Sequence, residues 1–176
     1  AFDATPYDFI KEADLETLAD MAKVLAEDPA ARMALGGVPE ITMAYRDPIT
    51  GLWILSRPDQ VSDEGLVSDY KRLAPRGAAF DHRLCDRKIT QFGYDQQIAL
   101  GCEAFQMLTG DWPPLAGLIF QSTDAPHFVI AREVSQEDLE IASFRNRRGI
   151  DLFHKCLTEN HWPAPGDDTG AYQRPD

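Results

Sequence analysis

Within the stretch 53–72, WILSRPDQVSDEGLVSDYKR, three side chains are of types that do chemistry together. They are Asp59 in Arg57-Pro58-Asp59, and Asp69 and Lys71 in Asp69-Tyr70-Lys71. Two carboxylates offer oxygen ligands to a hard divalent cation, and a cation so held lowers the pKa of bound water. Phosphodiester hydrolysis asks for that arrangement, with the lysine beside it to steady developing negative charge. The stretch reads as a β-hairpin, with apolar runs Leu52–Ser56 and Leu66–Ser68 joined by the polar turn Ser62–Gly65. Asp59 then falls near the end of one strand. Asp69 and Lys71, two apart on the next, share a face because strand side chains alternate.

Taken alone, an Asp-x-Lys on a strand is far more often a solvated face than a site, since short motifs recur by chance. Three features weigh against that reading here. Arg57-Pro58-Asp59 places charge inside an otherwise apolar strand, and Val67 and Tyr70 put Asp69 on a rigid, strand-like element. Glu40, at the start of another strand-like run, supplies a third carboxylate for the same ion.

These groups need a scaffold, and the chain punctuates one clearly. Leu15, Leu18, Met21, Ala22 and Leu25 recur at helical spacing after Asp14. Asp28-Pro29 opens a short second helix that Gly36-Gly37 closes. Strands are expected at Glu40–Tyr45, Leu52–Ser56 and Leu66–Tyr70, the first two joined by a turn over Asp47–Gly51. One long helix is expected over 89–108, ending at Gly110, then strands at Leu115–Gln121 and His127–Glu133 joined by a turn over Ser122–Pro126. A capping box at Ser135–Asp138 opens a last helix reaching about Thr158. The order helix, three strands, helix, two strands, helix predicts an α/β fold, a mixed central sheet flanked by helices. It fills one domain, 1–162, with 163–176 as a flexible Pro-, Gly- and Asp-rich tail.

Composition narrows the function classes. At 176 residues, 44% hydrophobic and 26% charged, the chain can bury a core as one globular domain. Cys85, Cys102 and Cys156 are odd in number and lack any C-x-x-C, which excludes a disulfide framework and argues against zinc or iron–sulfur ligation. His82, His127, His154 and His161 have no metal-ligand spacing. No Gly-rich phosphate loop is present, which argues against a nucleotide-modifying enzyme. No apolar run is long enough to cross a bilayer and no signal peptide stands at the start, so a cytoplasmic protein without a membrane partner is expected. The chain begins with Ala rather than Met, so an upstream segment carrying a further site residue stays open. The formal net charge is 17 − 29 = −12, which disfavours indiscriminate nucleic-acid binding. Lys71, Arg72, Arg76, Arg83, Arg87 and Lys88 nevertheless stand against only Asp81 and Asp86, a local basic excess suited to gripping phosphates.

The element order, with Arg57-Pro58-Asp59, Asp69-Tyr70-Lys71 and Gly93-Tyr94-Asp95-Gln96-Gln97 on the following helix, resembles the PD-(D/E)XK nuclease superfamily. Within it the likeness is to the phage-type exonuclease VIII (RecE-like) branch. Thr50-Gly51 in a turn and the closing Asn160-His161-Trp162-Pro163 add to it, so it covers nearly the whole chain. The resemblance implies a restriction-endonuclease-like core, α-βββ-α-ββ-α. It implies Asp59, Asp69 and the Tyr70 backbone carbonyl as ligands of Mg²⁺ or Mn²⁺, with Glu40 as a further candidate. Lys71 would orient the attacking water. Gln97, with Tyr94 nearby, would steady the lysine or the DNA backbone, and Arg57, Arg72, Arg76 and Tyr94 are the candidate DNA contacts. The implied activity is exonucleolytic hydrolysis of linear double-stranded DNA in recombination or phage DNA processing. The implied partners are DNA, copies of the chain itself and a single-strand annealing protein.

Three departures bear on this. Ser68 stands where an aliphatic residue usually precedes the strand aspartate, and Gly101 where an aromatic often follows the helix glutamine. No histidine precedes His82, leaving Glu12 or Glu16 to serve as the early-helix ligand. The alternative is a DNA-binding module of the same fold, catalytically weak or inactive, within a larger assembly.

Overall fold

The computed structural model describes residues 11–62 and 64–164. Among these residues the chain forms α1 (Glu12–Glu27), α2 (Pro29–Ala34), β1 (Val38–Pro39), β2 (Met43–Arg46), β3 (Trp53–Ser56), β4 (Gln60–Val61) and β5 (Val67–Leu73). There follow α3 (His82–Phe92), α4 (Tyr94–Thr109), β6 (Ala116–Ser122), β7 (Val129–Glu133) and α5 (Gln136–Glu159). A five-stranded sheet has the order β1-β4-β5-β6-β7, and β2 and β3 form a separate hairpin. β5 and β6 run parallel at its centre, while the β1–β4, β4–β5 and β6–β7 pairs are antiparallel. A parallel pair needs a crossover, and α3 with α4 supplies it. The mixed sheet flanked by helices is the architecture the sequence predicts.

The helices begin where capping chemistry places them. Asp28 accepts a hydrogen bond from Ala31 N at 2.8 Å, Asp81 from Leu84 N at 2.8 Å, and Ser135 from Asp138 N at 3.1 Å. The single helix expected over 89–108 is instead two. It starts at His82 and breaks at Gly93, whose φ of 66° lies in the left-handed region that favours glycine. Arg83, Arg87 and Lys88 therefore ride on a helix.

The hairpin expected between Leu52–Ser56 and Leu66–Ser68 does not form. β3 pairs back onto β2, with Arg46 opposite Trp53, and the antiparallel partner of β5 is the two-residue β4. Pro58 explains the change, because it has no N–H for a ladder and so separates β3 from β4. The turn over 62–65 is where it was expected, joining β4 to β5 through Gly65 N donating to Ser62 O at 2.9 Å. Glu40 lies outside any strand, at a φ of 50° between β1 and β2.

The main core forms between one sheet face and the later helices, joining Val67, Leu118 and Phe120 to Leu84, Ile98, Cys102 and Leu139. A smaller cluster, Met43, Tyr45 and Ala104, seats the β2–β3 hairpin on α4. Arg147 of α5 clamps that hairpin from outside by donating to the buried Asp47 carboxylate at 2.8 Å. The opposite sheet face carries Ser68, Tyr70 and Gln121 beneath α1 and α2. Buried Gln121 accepts from Tyr70 Oη at 2.6 Å and donates to Met21 O at 2.9 Å. Among the described residues no helix is long and apolar enough to cross a membrane. The tail expected from Pro163 falls, from residue 165 onward, outside the described residues.

Candidate functional site

Alternation along β5 sends Val67, Asp69, Lys71 and Leu73 to the face that carries the main core. A carboxylate and an ammonium thus occupy positions where the flanking residues are apolar core. Asp69 is 1% exposed. Burying charge there costs free energy unless the groups are partnered, so the arrangement has to be explained by its neighbours.

The first neighbour is Lys71, whose Nζ lies 2.7 Å from Asp69 Oδ2. The second is Asp59, delivered by the shortness of β4. Gln60 and Val61 pair with Ser68 and Val67, and the ladder stops there. Tyr70 N, one step past it, donates to Asp59 Oδ2 at 2.8 Å in place of a backbone carbonyl. A strand residue directs its N–H and C=O to the same side, so the Tyr70 carbonyl also faces the edge where Asp59 lies.

The two carboxyl groups interact directly, and they titrate in opposite directions. Burial, reinforced by the adjacent Asp59 carboxyl and only partly offset by Lys71, pushes Asp69 up to about 7. Burial pushes Asp59 upward too, but its hydrogen bonds with Asp69 and Tyr70 N and the charges of Lys71 and Arg57 hold it below the ordinary carboxylate range. The pair therefore holds a proton into the neutral range, because like charges this close do not both ionise readily.

Lys71 has one more partner. Its Nζ lies 4.7 Å from the centroid of the Tyr94 ring. Tyr94 is the first residue of α4, directly after the Gly93 break, and its ring packs at 6.3 Å from buried Phe120. The chain thus brings together Asp59, Asp69, the Tyr70 backbone, Lys71 and Tyr94. The motifs set Tyr94 near the glutamine expected to steady the lysine and among the DNA contacts, whereas its own contact with Lys71 depends on where the helix breaks.

The other candidates make other side-chain contacts, although Glu40 N donates to Asp59 O at 2.9 Å. Glu40 pairs instead with Arg57 at 3.1 Å, both side chains 61% exposed. Among the described residues no three Asp, Glu, His or Cys side chains gather as a metal-binding group. The Glu40 carboxylate is taken up by Arg57, which also acts on Asp59 through its charge. Gln97 is exposed on α4, and the partners of Lys71 are Asp69 and Tyr94 rather than Gln97. Arg72, one residue from Lys71, falls on the opposite sheet face with Tyr70. Arg76 is exposed in the loop after β5. Glu12 and Glu16 are exposed on α1, which packs on the sheet face away from Asp69.

No protein-family model matches the chain. No curated protein matches it either. Among solved structures it is similar to the crystal structure of a "putative exonuclease" from Eubacterium rectale, with 13% sequence identity and a TM-score of 0.72. The match covers 98% of this chain and 66% of that one. At that identity the likeness shows a shared fold, and this chain spans about two thirds of the neighbour's length.

Proposed function

We propose that the chain is a metal-dependent deoxyribonuclease of PD-(D/E)XK type, acting as an exonuclease on linear double-stranded DNA in the cytoplasm. One observation carries this reading: the carboxyl of Asp59, just before β4, and the buried carboxyl of Asp69 on β5 lie against each other, with an ammonium 2.7 Å from the more buried one. That is a poor structural device and a good receptor for a cation, which would replace the proton and cancel the repulsion. The fold shared with a protein called an exonuclease agrees with it.

The donor set fits a hard, oxygen-seeking ion. Asp59, Asp69 and the Tyr70 carbonyl are all oxygen donors. With two carboxylates and, among the described residues, no group of three, the set suits Mg²⁺, which keeps several waters and takes one or two carboxylates. The bound ion would supply a water of lowered pKa and charge neutralisation at phosphorus. Asp59 and Asp69 would hold it, Tyr70 N would fix the Asp59 carboxylate, and Lys71 would steady the phosphate. Lys71 is poised for this by Tyr94, which gives it a second resting place besides Asp69.

A second reading, a DNA-binding module without cutting activity, draws on the pairing of the Glu40 carboxylate with Arg57, and of Lys71 with Asp69 and Tyr94 rather than Gln97. One experiment separates the two. Purified protein is incubated with end-labelled linear duplex and closed circular DNA, with Mg²⁺ or with EDTA. Loss of the linear species only, dependent on metal and abolished by Asp69→Ala, is the expected result. DNA that is bound yet intact under every condition overturns the nuclease reading.

A further inference from the structure

We infer that Phe92 and Lys88 form a landing place for an unpaired end of nucleic acid beside the acid pair, the ring taking a base and the ammonium its phosphate. The inference rests on the nuclease reading and adds to it the form of substrate that reaches the site. Both ammonium-over-ring contacts among the described residues fall on two touching rings. Lys71 Nζ lies 4.7 Å from the Tyr94 centroid, Lys88 Nζ lies 5.1 Å from that of Phe92, and the two rings are 5.5 Å apart. A continuous track therefore leads from Asp69 through Lys71 and Tyr94 to Phe92 and Lys88, anchored in the core by Phe120.

The track exists because the helix breaks. In an unbroken helix, residues two apart point to nearly opposite sides and do not meet. Gly93, at a φ of 66°, turns the chain between Phe92 and Tyr94 so that their rings pack at an interplanar angle of 31°. Lys88, one turn before Phe92, then lies over the ring, held by Gln91 Oε1 at 2.8 Å. Phe92 is 56% exposed. Exposure alone decides nothing, since this chain exposes other large apolar side chains and single ones are ordinary. What separates Phe92 is its contact with the ring beneath the site lysine and its place on the basic helix of Arg83, Arg87 and Lys88.

An open ring flanked by ammonium groups is the recurring platform for single strands. Every base has a face to stack, and the cations track the backbone. Bases within a duplex are already stacked on one another, so the platform engages a strand only where it is unpaired. A frayed or single-stranded end, led along Phe92 and Tyr94, would bring its phosphate to Lys71 and the acid pair.

The test measures anisotropy of a fluorescein-labelled oligothymidylate and of a blunt duplex, both in EDTA, with the full chain. Phe92→Ala should weaken oligothymidylate binding about 5- to 150-fold, leaving its salt dependence unchanged. Phe92→Trp should bind at least as tightly as wild type, with its indole fluorescence quenched on binding. Lys88→Ala should lower the slope of log K against log salt by about 0.7. Wild-type protein that ignores the oligonucleotide, or a Phe92→Ala variant that binds it as wild type does, overturns the inference. If Phe92-dependent binding holds and no DNA is cut with Mg²⁺ or Mn²⁺, the nuclease reading falls and the platform stands. If DNA is cut while Phe92→Ala binds as wild type does, the platform falls and the nuclease reading stands.

Discussion

Asp47 and Asp69 are both buried aspartates paired with a cation, and the fold treats them in opposite ways. Asp47 takes hydrogen bonds from Thr50 N, Thr50 Oγ1 and Arg147, so each oxygen has a donor. Against burial, which pushes it upward, those bonds hold its carboxyl down at about 2. Asp69 has the Lys71 ammonium but also a second carboxyl against it, and it sits at about 7. A satisfied carboxylate fastens one element to another, here α5 to the β2–β3 hairpin. One that faces a second carboxyl stores repulsion that a bound cation would relieve. The difference between the two acids lies in their partners, not in the depth of burial.

The largest effect that would sharpen this contrast is on activity. Asp69→Ala and Lys71→Ala should each lower the rate of linear-duplex degradation by about 10³-fold or more, with circular dichroism unchanged. Arg147→Met should leave the rate per folded molecule within a few-fold of wild type. It should cost roughly 3–5 kcal/mol in urea unfolding, because the Asp47 charge is left buried without its partner. A large loss of activity in folded Arg147→Met, or none in Asp69→Ala, would erase the distinction between the two sites.

Next in size is a reversal of sign. Asp69→Asn should raise metal-free stability at pH 8 by on the order of 1–2 kcal/mol, since it removes a charge that burial and Asp59 both oppose. Asp47→Asn should lower it by a similar amount, as the amide cannot accept all three donors. Melting curves of the two variants should move in opposite directions, and movement in the same direction would refute the contrast.

How much of this is legible in the sequence depends on how local each feature is. The union of Asp69 and Lys71 follows from strand alternation alone, and the same alternation already separates Arg72 from them. Helix starts at Asp28 and Ser135 are written in capping residues, whereas the helix capped by Asp81 begins seven residues before the expected start at Ile89. The strand partner of β5 is not local. Pro58 marks the end of β3, but only the packing of Met43 and Tyr45 against α4 decides that β3 folds back onto β2. Glu40 is misplaced for the same reason, as it lies in the crossing between β1 and that hairpin. Gly93 is visible as a glycine within a helical pattern. That it would end one helix and aim Tyr94 at Lys71 depends on the core beneath, where Phe120 receives the ring. Asp47–Arg147 joins residues 100 positions apart and has no local signature beyond the Asp47–Thr50 turn.

The smallest effect is the pH dependence of the metal-free protein, and its sign distinguishes the two acids. Asp69 has a folded pKa above its unfolded one, so the folded state binds more protons between about pH 4 and pH 7. Its contribution to stability is full below about pH 4 and is lost as pH rises through about 7. Asp47 is depressed, so its contribution is full above about pH 4 and is lost as pH falls toward about 2. Asp59, also held low, acts in that same acid window and leaves the neutral one to Asp69. Melting temperature without metal should therefore decline from pH 5 to pH 8 in wild type and stay flatter in Asp69→Asn. A cation held by the proposed site would compete with the Asp69 proton, so the rise in melting temperature on adding Mn²⁺ should be larger at pH 8 than at pH 6. At ten times its dissociation constant the ion would add about 1.4 kcal/mol, offsetting part of the decline at pH 8. Equal Mn²⁺ shifts at both pH values, or a shift that survives in Asp59→Ala, would mean that the ion binds elsewhere and that the crowded carboxyl pair is not its receptor.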